Sequence, residues 1–253
     1  MMDQIRVDSA GDDHVAVVEL TNPPHNFFSY EMIRSIGEAL DGLDEDDQCR
    51  SVVLCAEGKH FCAGADFSGR SSDIPEQIYR DAETRLFRGR KPIVAAIQGA
   101  AVGGGLGLAL VADFRIAAPE ARFSVNFARL GFHQGFGLSV TLPRLVGVQQ
   151  AARLLYTGER INGERAVAIG LADQLAPLQE LRDEARALAV EIAKSAPLAV
   201  ESIRATLRGS LADDVERASA HEAVEQGRLR KTADFAEGVR AVAERRPANF
   251  VRA

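Results

Sequence analysis

Two stretches of this sequence concentrate small residues where backbone, rather than side chains, can meet a ligand. The first is Gly58-Lys59-His60-Phe61-Cys62-Ala63-Gly64-Ala65-Asp66. Its small residues at 63 to 65 permit close approach to the chain, and Asp66 can cap whatever follows. The second is Gly99-Ala100-Ala101-Val102-Gly103-Gly104-Gly105-Leu106-Gly107, read as a loop that runs into a helix. The start of a helix presents unpaired N–H groups at the positive end of its dipole, which suits a developing oxyanion or a phosphate. Nucleotide motifs do not fit: the Gly-Lys-Ser/Thr ending of a P-loop is missing, and Leu108 stands where G-x-G-x-x-G needs a small residue. No G-x-S-x-G occurs, which removes the usual serine nucleophile elbow.

The elements that must position these loops are legible from periodicity. Ile5-Arg6-Val7 and His14 to Leu20 flank Gly11-Asp12-Asp13, a hairpin pattern. Ser29 can cap a helix carrying Met32, Ile36, Leu40 and Leu43 on one face. Ser51 to Ala56 and Pro92 to Ile97 are apolar runs of strand length, each leading into a glycine loop, and Phe114 to Ala117 is a further strand. Gly104 to Val111 reads as a short apolar helix. After Val146 strand signals fade, and helical patterns cover Val148 to Tyr156, Glu164 to Ile169, Leu178 to Ser195, Val200 to Leu207, Asp214 to Leu229 and Ala233 to Ala243. The charged Asp214 to Leu229 helix is expected to be solvated over most of its surface. The layout predicts an α/β core followed by a helical tail of the kind that packs on a neighbouring subunit.

Composition narrows the function classes. The chain has 253 residues, 46% hydrophobic and 26% charged, enough to bury a full core. Lys+Arg number 30 against 36 Asp+Glu, for a formal charge of -6, so no general field attracts nucleic acid or an anionic membrane surface. No apolar run approaches the roughly 20 residues that span a bilayer, and Met1 to Ala10 lack an h-region, so the chain is read as cytoplasmic. Cys49, Cys55 and Cys62 lack CxxC or CxxH spacing, which argues against a disulfide framework and a zinc site.

With these loops in this order, the sequence resembles the crotonase superfamily, also called the enoyl-CoA hydratase/isomerase family. The matching segments are F-C-A-G-A-D at Phe61 to Asp66 and Q-G-A-A-V-G-G-G-L-G-L-A-L-V-A-D at Gln98 to Asp113. L-P-R-L-V-G at Leu142 to Gly147, A-x-x-L-L-Y-T-G at Ala151 to Gly158, E-R-A-x-x-I-G-L-A-D at Glu164 to Asp173 and E-G-V-R-A-V-A-E-R-R-P-A-N-F at Glu237 to Phe250 complete it. The resemblance implies an α/β fold with a crotonase-like ββα spiral core over residues 1–195, and a C-terminal helical trimerisation region over 196–253. Trimers of this family often pair into hexamers. It also implies that the N–H groups of Ala65 and Gly104 hold the oxygen of an acyl-CoA thioester. Backbone contacts to the adenine of coenzyme A fall on Ala63, Ala65 and Phe67, His25 lies in the loop at the coenzyme A entrance, and Arg245 matches a basic residue that reaches coenzyme A phosphates of a neighbouring subunit. Coenzyme A enters as part of the substrate; no prosthetic group is implied, and no metal.

The match breaks at the acid/base positions. Hydratases of the family carry glutamates in G-G-G-x-E and P-E-x-x-x-G patterns; here Gly107 and Phe127 stand in those places, and Gly135 replaces an aspartate that some relatives carry. Water addition needs a general acid and base, so a standard hydratase mechanism is in doubt. In Phe132 to Gly137, Gln134 matches the neighbourhood of a proton donor in decarboxylase relatives, and His133 carries the stretch's one imidazole, the side-chain type suited to acid/base work, which makes it the candidate acid/base. Asn126 and Ser124 are secondary candidates for orienting substrate or water, whereas His60 is placed at the loop mouth in solvent and Cys62 is expected to pack inward. The leading expectation is an acyl-CoA enzyme working through an enolate held in an oxyanion hole. The alternatives are a non-catalytic acyl-CoA binding protein, or an acyl-CoA decarboxylase or thioesterase.

Overall fold

A computed structural model describes residues 4–27, 29–65 and 76–253, with residues 76–79 described by backbone alone. The predicted hairpin forms: β1 (Ile5–Asp8) pairs antiparallel with β2 (Val15–Leu20), Ile5 opposite Leu20. Ser29 Oγ accepts from Met32 N at 3.2 Å and starts α1 (Tyr30–Asp44), which buries Met32, Ile36, Leu40 and Leu43 as the spacing requires. β3 (Ser51–Ala56) is buried along its whole length, with β2 and later β4 (Ile93–Ile97) parallel beside it. Between them lies α2 (Glu76–Arg85).

Next come β5 (Ala100–Val102), α3 (Gly104–Ala109), β6 (Phe114–Ala117) and β7 (Arg122–Ser124). α4 (Leu138–Thr157), β8 (Arg160–Asn162), α5 (Gly163–Ala168), β9 (Gln174–Leu175) and α6 (Leu181–Ala193) follow. α7 (Pro197–Arg208), α8 (Leu211–Leu229) and α9 (Ala233–Ala243) close the chain. The main sheet has the order β1-β2-β3-β4-β6-β9, and β5-β7-β8 form a second, three-stranded sheet.

The main sheet is covered on both faces, which is why its central strands read as continuous apolar runs. Val53, Cys55, Val94, Ala96 and Ile116 pack against Leu181, Ala185 and Ala189 of α6. Ala16, Val18, Val52, Leu54, Ala95 and Ile97 face the larger core, which takes in Met32 and Ile36 of α1 and also Leu211 and Val215 of α8. Among the described residues no helix is long and apolar enough to cross a membrane.

Two sequence expectations need correction. The second glycine stretch is not all loop, because Ala100–Val102 is a strand paired with Arg122–Ser124. Strands also occur beyond Val146, as β8 and β9; segments of two or three residues carry too little periodicity to be read. The helix expected over Val148 to Tyr156 is present as the second part of α4, separated from the part that begins at Leu138 by a kink at the non-helical Gly147 (φ 76°, ψ 158°).

Asn26 ties this framework to the first glycine loop. Its buried side chain accepts from Asn22 N at 2.9 Å and donates to the carbonyls of Glu57 at 2.8 Å and His60 at 2.7 Å. Asn26→Ala should cost about 3 kcal/mol by orphaning buried backbone groups, which lowers Tm by roughly 5–10 °C in a thermal melt. An unchanged Tm would show that these bonds do not anchor the loop.

Candidate active site

The first glycine loop lies as a partial extra strand beside β5. Phe61 N donates to the Gln98 carbonyl at 2.8 Å, Cys62 N to Ala100 at 2.9 Å, and Val102 N back to Cys62 at 3.1 Å. Cys62 thus stands opposite Ala101 in a parallel bridge. The glycines are required by contact. A Cβ on Gly105 would lie 2.2 Å from the Cys62 carbonyl oxygen, and one on Gly64, already at φ +92°, 2.7 Å from the Val102 oxygen. The Cys62–Ala101 bridge and the seat of Gly64 against the Val102 carbonyl lay the two loops side by side just before Ala65 and Gly104.

Gly104 opens α3. Gly103 precedes it at φ 57°, ψ -122°, donating its N–H to Ser124 O at 2.8 Å and offering no side-chain cap. The first N–H groups of a helix have no carbonyl four residues back, so Gly104 and Gly105 present donors at the positive end of α3. Ala65 is half-buried.

Aromatic side chains line the neighbouring wall. A Cβ on Gly107 would meet Phe136 Cβ, Cγ and Cδ1 at 2.6, 2.7 and 2.8 Å, and one on Gly103 would meet Phe127 Cζ at 3.6 Å. Phe127, itself buried, packs on Phe132 with ring centroids 5.3 Å apart. A Cβ on Gly135 would lie 2.6 Å from Gln226 Nε2. Every position at which a carboxylate was sought is therefore backed by packed side chains.

The segment carrying His133 and Gln134 is held from α8. Gln226 Nε2 donates to the His133 carbonyl at 3.0 Å, while the Glu222 carboxylate accepts from Gly137 N and Ser139 N, both at 2.9 Å. Gln134 Nε2 donates to Ser139 Oγ at 2.9 Å. Sequence reasoning missed Glu222 and Gln226 because α8 was expected to be solvated. Glu222 is buried because two N–H groups at the start of α4 replace its water. The only sequence signal was the four-residue spacing of Glu222 and Gln226, which puts both on one helix face. His133 is half-buried, with Nδ1 2.9 Å from the Gln134 carbonyl and an edge-to-face contact to His221 at 5.9 Å. Facing a carbonyl, Nδ1 carries the hydrogen in the neutral ring, which leaves Nε2 as the acceptor.

At the other end of the first loop, exposed His25 stacks on His60 with centroids 5.7 Å apart, and its carbonyl accepts from Ala63 N at 2.9 Å. His60 is not loose in solvent: it is half-buried, and its Nδ1 accepts from Ala100 N at 3.1 Å. Burial first, then the nearby His25 and Lys59, hold its pKa below 6.5. Cys62 is fully buried, and Ser124 is buried with Oγ 3.3 Å from the Gly158 carbonyl. Asn126 is half-buried, its Oδ1 3.8 Å from a Cβ built on Gly103. Arg245 is exposed just past the end of α9. Phe67 and Asp66 lie outside the described residues. Among the described residues no cluster of three or more His, Cys, Asp or Glu could hold a metal ion.

The model of one protein family, enoyl-CoA hydratase/isomerase, matches residues 10–252. The chain belongs to this family. The crotonyl-CoA hydratase of Syntrophomonas wolfei is 34% identical over 248 residues, covering 95% of each chain. A protein of Thermus thermophilus is 38% identical over 247 residues, 94% of this chain and 97% of that one. The crystal structure of an enoyl-CoA hydratase/isomerase from Pseudoalteromonas atlantica superposes with a TM-score of 0.88 at 27% identity, over 98% of this chain and 100% of that chain. The expected α/β crotonase fold is thereby established, with both glycine loops inside the matched region.

One buried carboxyl bears on the stability of this family member. Glu83 of α2 is buried, and burial followed by the charge of Glu222 pushes its pKa well above 4.5. A group raised in the folded state binds its proton more tightly there, so its stabilising contribution is full below pH 4.5 and declines as pH rises. Glu83→Gln should therefore gain stability relative to the wild type as pH is taken from 5 to 8 in parallel thermal melts. A Tm difference independent of pH would show that Glu83 does not titrate in this way.

Proposed function

We propose that this chain is an enzyme acting on an acyl-CoA thioester, with the N–H groups of Ala65 and Gly104 holding the thioester oxygen as negative charge builds on it. The observation that supports this reading is the parallel interlock of the two glycine loops, in which Cys62 faces Ala101 and the second loop then opens α3 at Gly104. Removing the proton next to the thioester carbon leaves an enolate with its charge on that oxygen. Each preorganised donor aimed there is typically worth roughly 3–4 kcal/mol in the transition state.

His133 is the group assigned to move the proton. Its Nδ1 is engaged by a carbonyl, so Nε2 takes a proton from the acyl carbons and returns it elsewhere on the chain or to water. The glutamates of family hydratases do not assist, since Gly107 and Phe127 occupy their positions, and Gly135 stands where some relatives carry an aspartate. Ala63, Ala65 and Phe67 supply backbone contacts to adenine, His25 borders the coenzyme A entrance, and Arg245 serves the phosphates of a neighbouring subunit's coenzyme A. That role needs a homotrimer, or a dimer of trimers, built through residues 196–253; exposed Leu198, Ile203 and Leu207 on α7 fit such an interface. A second reading, an acyl-CoA binding protein without turnover, is favoured by the apolar wall of Phe127 and Phe136.

A panel of saturated, unsaturated, branched and aromatic acyl-CoAs, followed by mass analysis, separates hydration, isomerisation, hydrolysis, decarboxylation and simple binding. Without the glutamate pair, hydration of crotonyl-CoA should run at least about 100-fold slower than in the named hydratase relatives. Rapid turnover of crotonyl-CoA would refute this. His133→Ala should abolish the turnover found in the panel while acyl-CoA affinity, measured by calorimetry, stays within about two-fold. Undiminished turnover in that variant removes His133 from the mechanism.

A further inference from the structure

Gly107 and Phe136 form one packing unit between α3 and the segment that carries His133. No Cβ fits at 107 while the Phe136 ring is in place, because three atoms of that side chain lie within 2.8 Å of where it would stand. Phe136 is buried and holds φ at 62°, a backbone conformation that bulky residues rarely adopt and that persists only where the surroundings impose it. The surroundings here do so from both sides. Gln226 holds the His133 carbonyl before it, and Glu222 holds the N–H groups of Gly137 and Ser139 after it. Retreat is blocked as well, since Gly137 backs onto Val215, whose Cγ1 lies 2.7 Å from a Cβ built there.

The location gives this packing a consequence. Gly107 lies one helical turn beyond Gly104, about 4.5 Å along the axis of α3, so the ring packs on the same short helix whose start carries the donor assigned to the thioester oxygen. We propose that Phe136 is a specificity-determining residue. Its ring fills the space beside the thioester that a side chain at 107 would take, which keeps that wall apolar and restricts the site to acyl groups that are slender and unbranched next to the carbonyl. This rests on the acyl-CoA reading and goes beyond it by naming the residue that selects the acyl group. Glu222 and Gln226 act through Phe136 as positioning residues.

Four proteins test the packing: wild type, Gly107→Ala, Phe136→Ala and the double variant. Gly107→Ala should lower Tm by roughly 5 °C or more, and adding Phe136→Ala should restore at least half of that loss, because the second change removes the overlap. Strictly additive shifts overturn the packing argument. Calorimetric titration with butyryl-CoA, the α-branched isobutyryl-CoA and free coenzyme A tests selection. In Phe136→Ala the affinity for the branched over the straight thioester should rise about ten-fold, with free coenzyme A unchanged. Phe136→Leu, which keeps an apolar side chain, should shift the ratio in the same direction if the alanine variant does not fold. An unchanged ratio in proteins that bind both thioesters overturns the proposal alone. Failure of the wild type to bind either thioester overturns the acyl-CoA reading, and the proposal with it.

Discussion

The contact on which the rest depends is between two stretches of main chain. The Cys62 carbonyl accepts the Val102 N–H and sits where a side chain on Gly105 would have to be. No side chain lies between the strands at this point, so hydrogen-bond geometry fixes their spacing. Stiff apolar strands hold both partners from behind: β3 leads into the first loop, and β4 into the second. Main-chain groups locked together this way have no rotamers to choose among. That property lets electrostatic stabilisation in such sites act without reorganisation.

The second element of the site comes from the far end of the chain. α8 contributes a buried carboxylate, and a buried charge is tolerated only where donors replace its water. Glu222 finds them in two N–H groups at the start of α4, where the helix dipole also favours negative charge. The cost falls on its neighbour: out of solvent and beside this charge, the Glu83 carboxyl is pushed well above the ordinary carboxylate range. A segment with an unusual backbone at Phe136 is thus held between a core helix and a C-terminal one, and the aromatic wall follows from that clamp. The cross-links reach from the residue 222–226 turn to residues 133–139 of the same chain, so the helical region after residue 196 completes the site wall of its own chain.

The sequence alone determined what is written in local chemistry. Ser29 marked a helix start, and the apolar run at Ser51 to Ala56 marked a strand covered on both faces. The glycines at 64 and 103 to 105 marked places of close backbone approach, and the ordered motifs pointed to the family. Each of these depends on neighbours a few residues away, so spacing and residue type suffice. The short strands β5, β7 and β8 were out of reach because their stability lies in pairing with partners remote in the chain. Only the tertiary structure decided what stands at the positions without the family's carboxylates. Gly107 meets Phe136, Gly135 meets Gln226, and Glu222 leaves a helix that looked solvated to cap another, because such contacts are set by how packed elements meet, which no local period encodes.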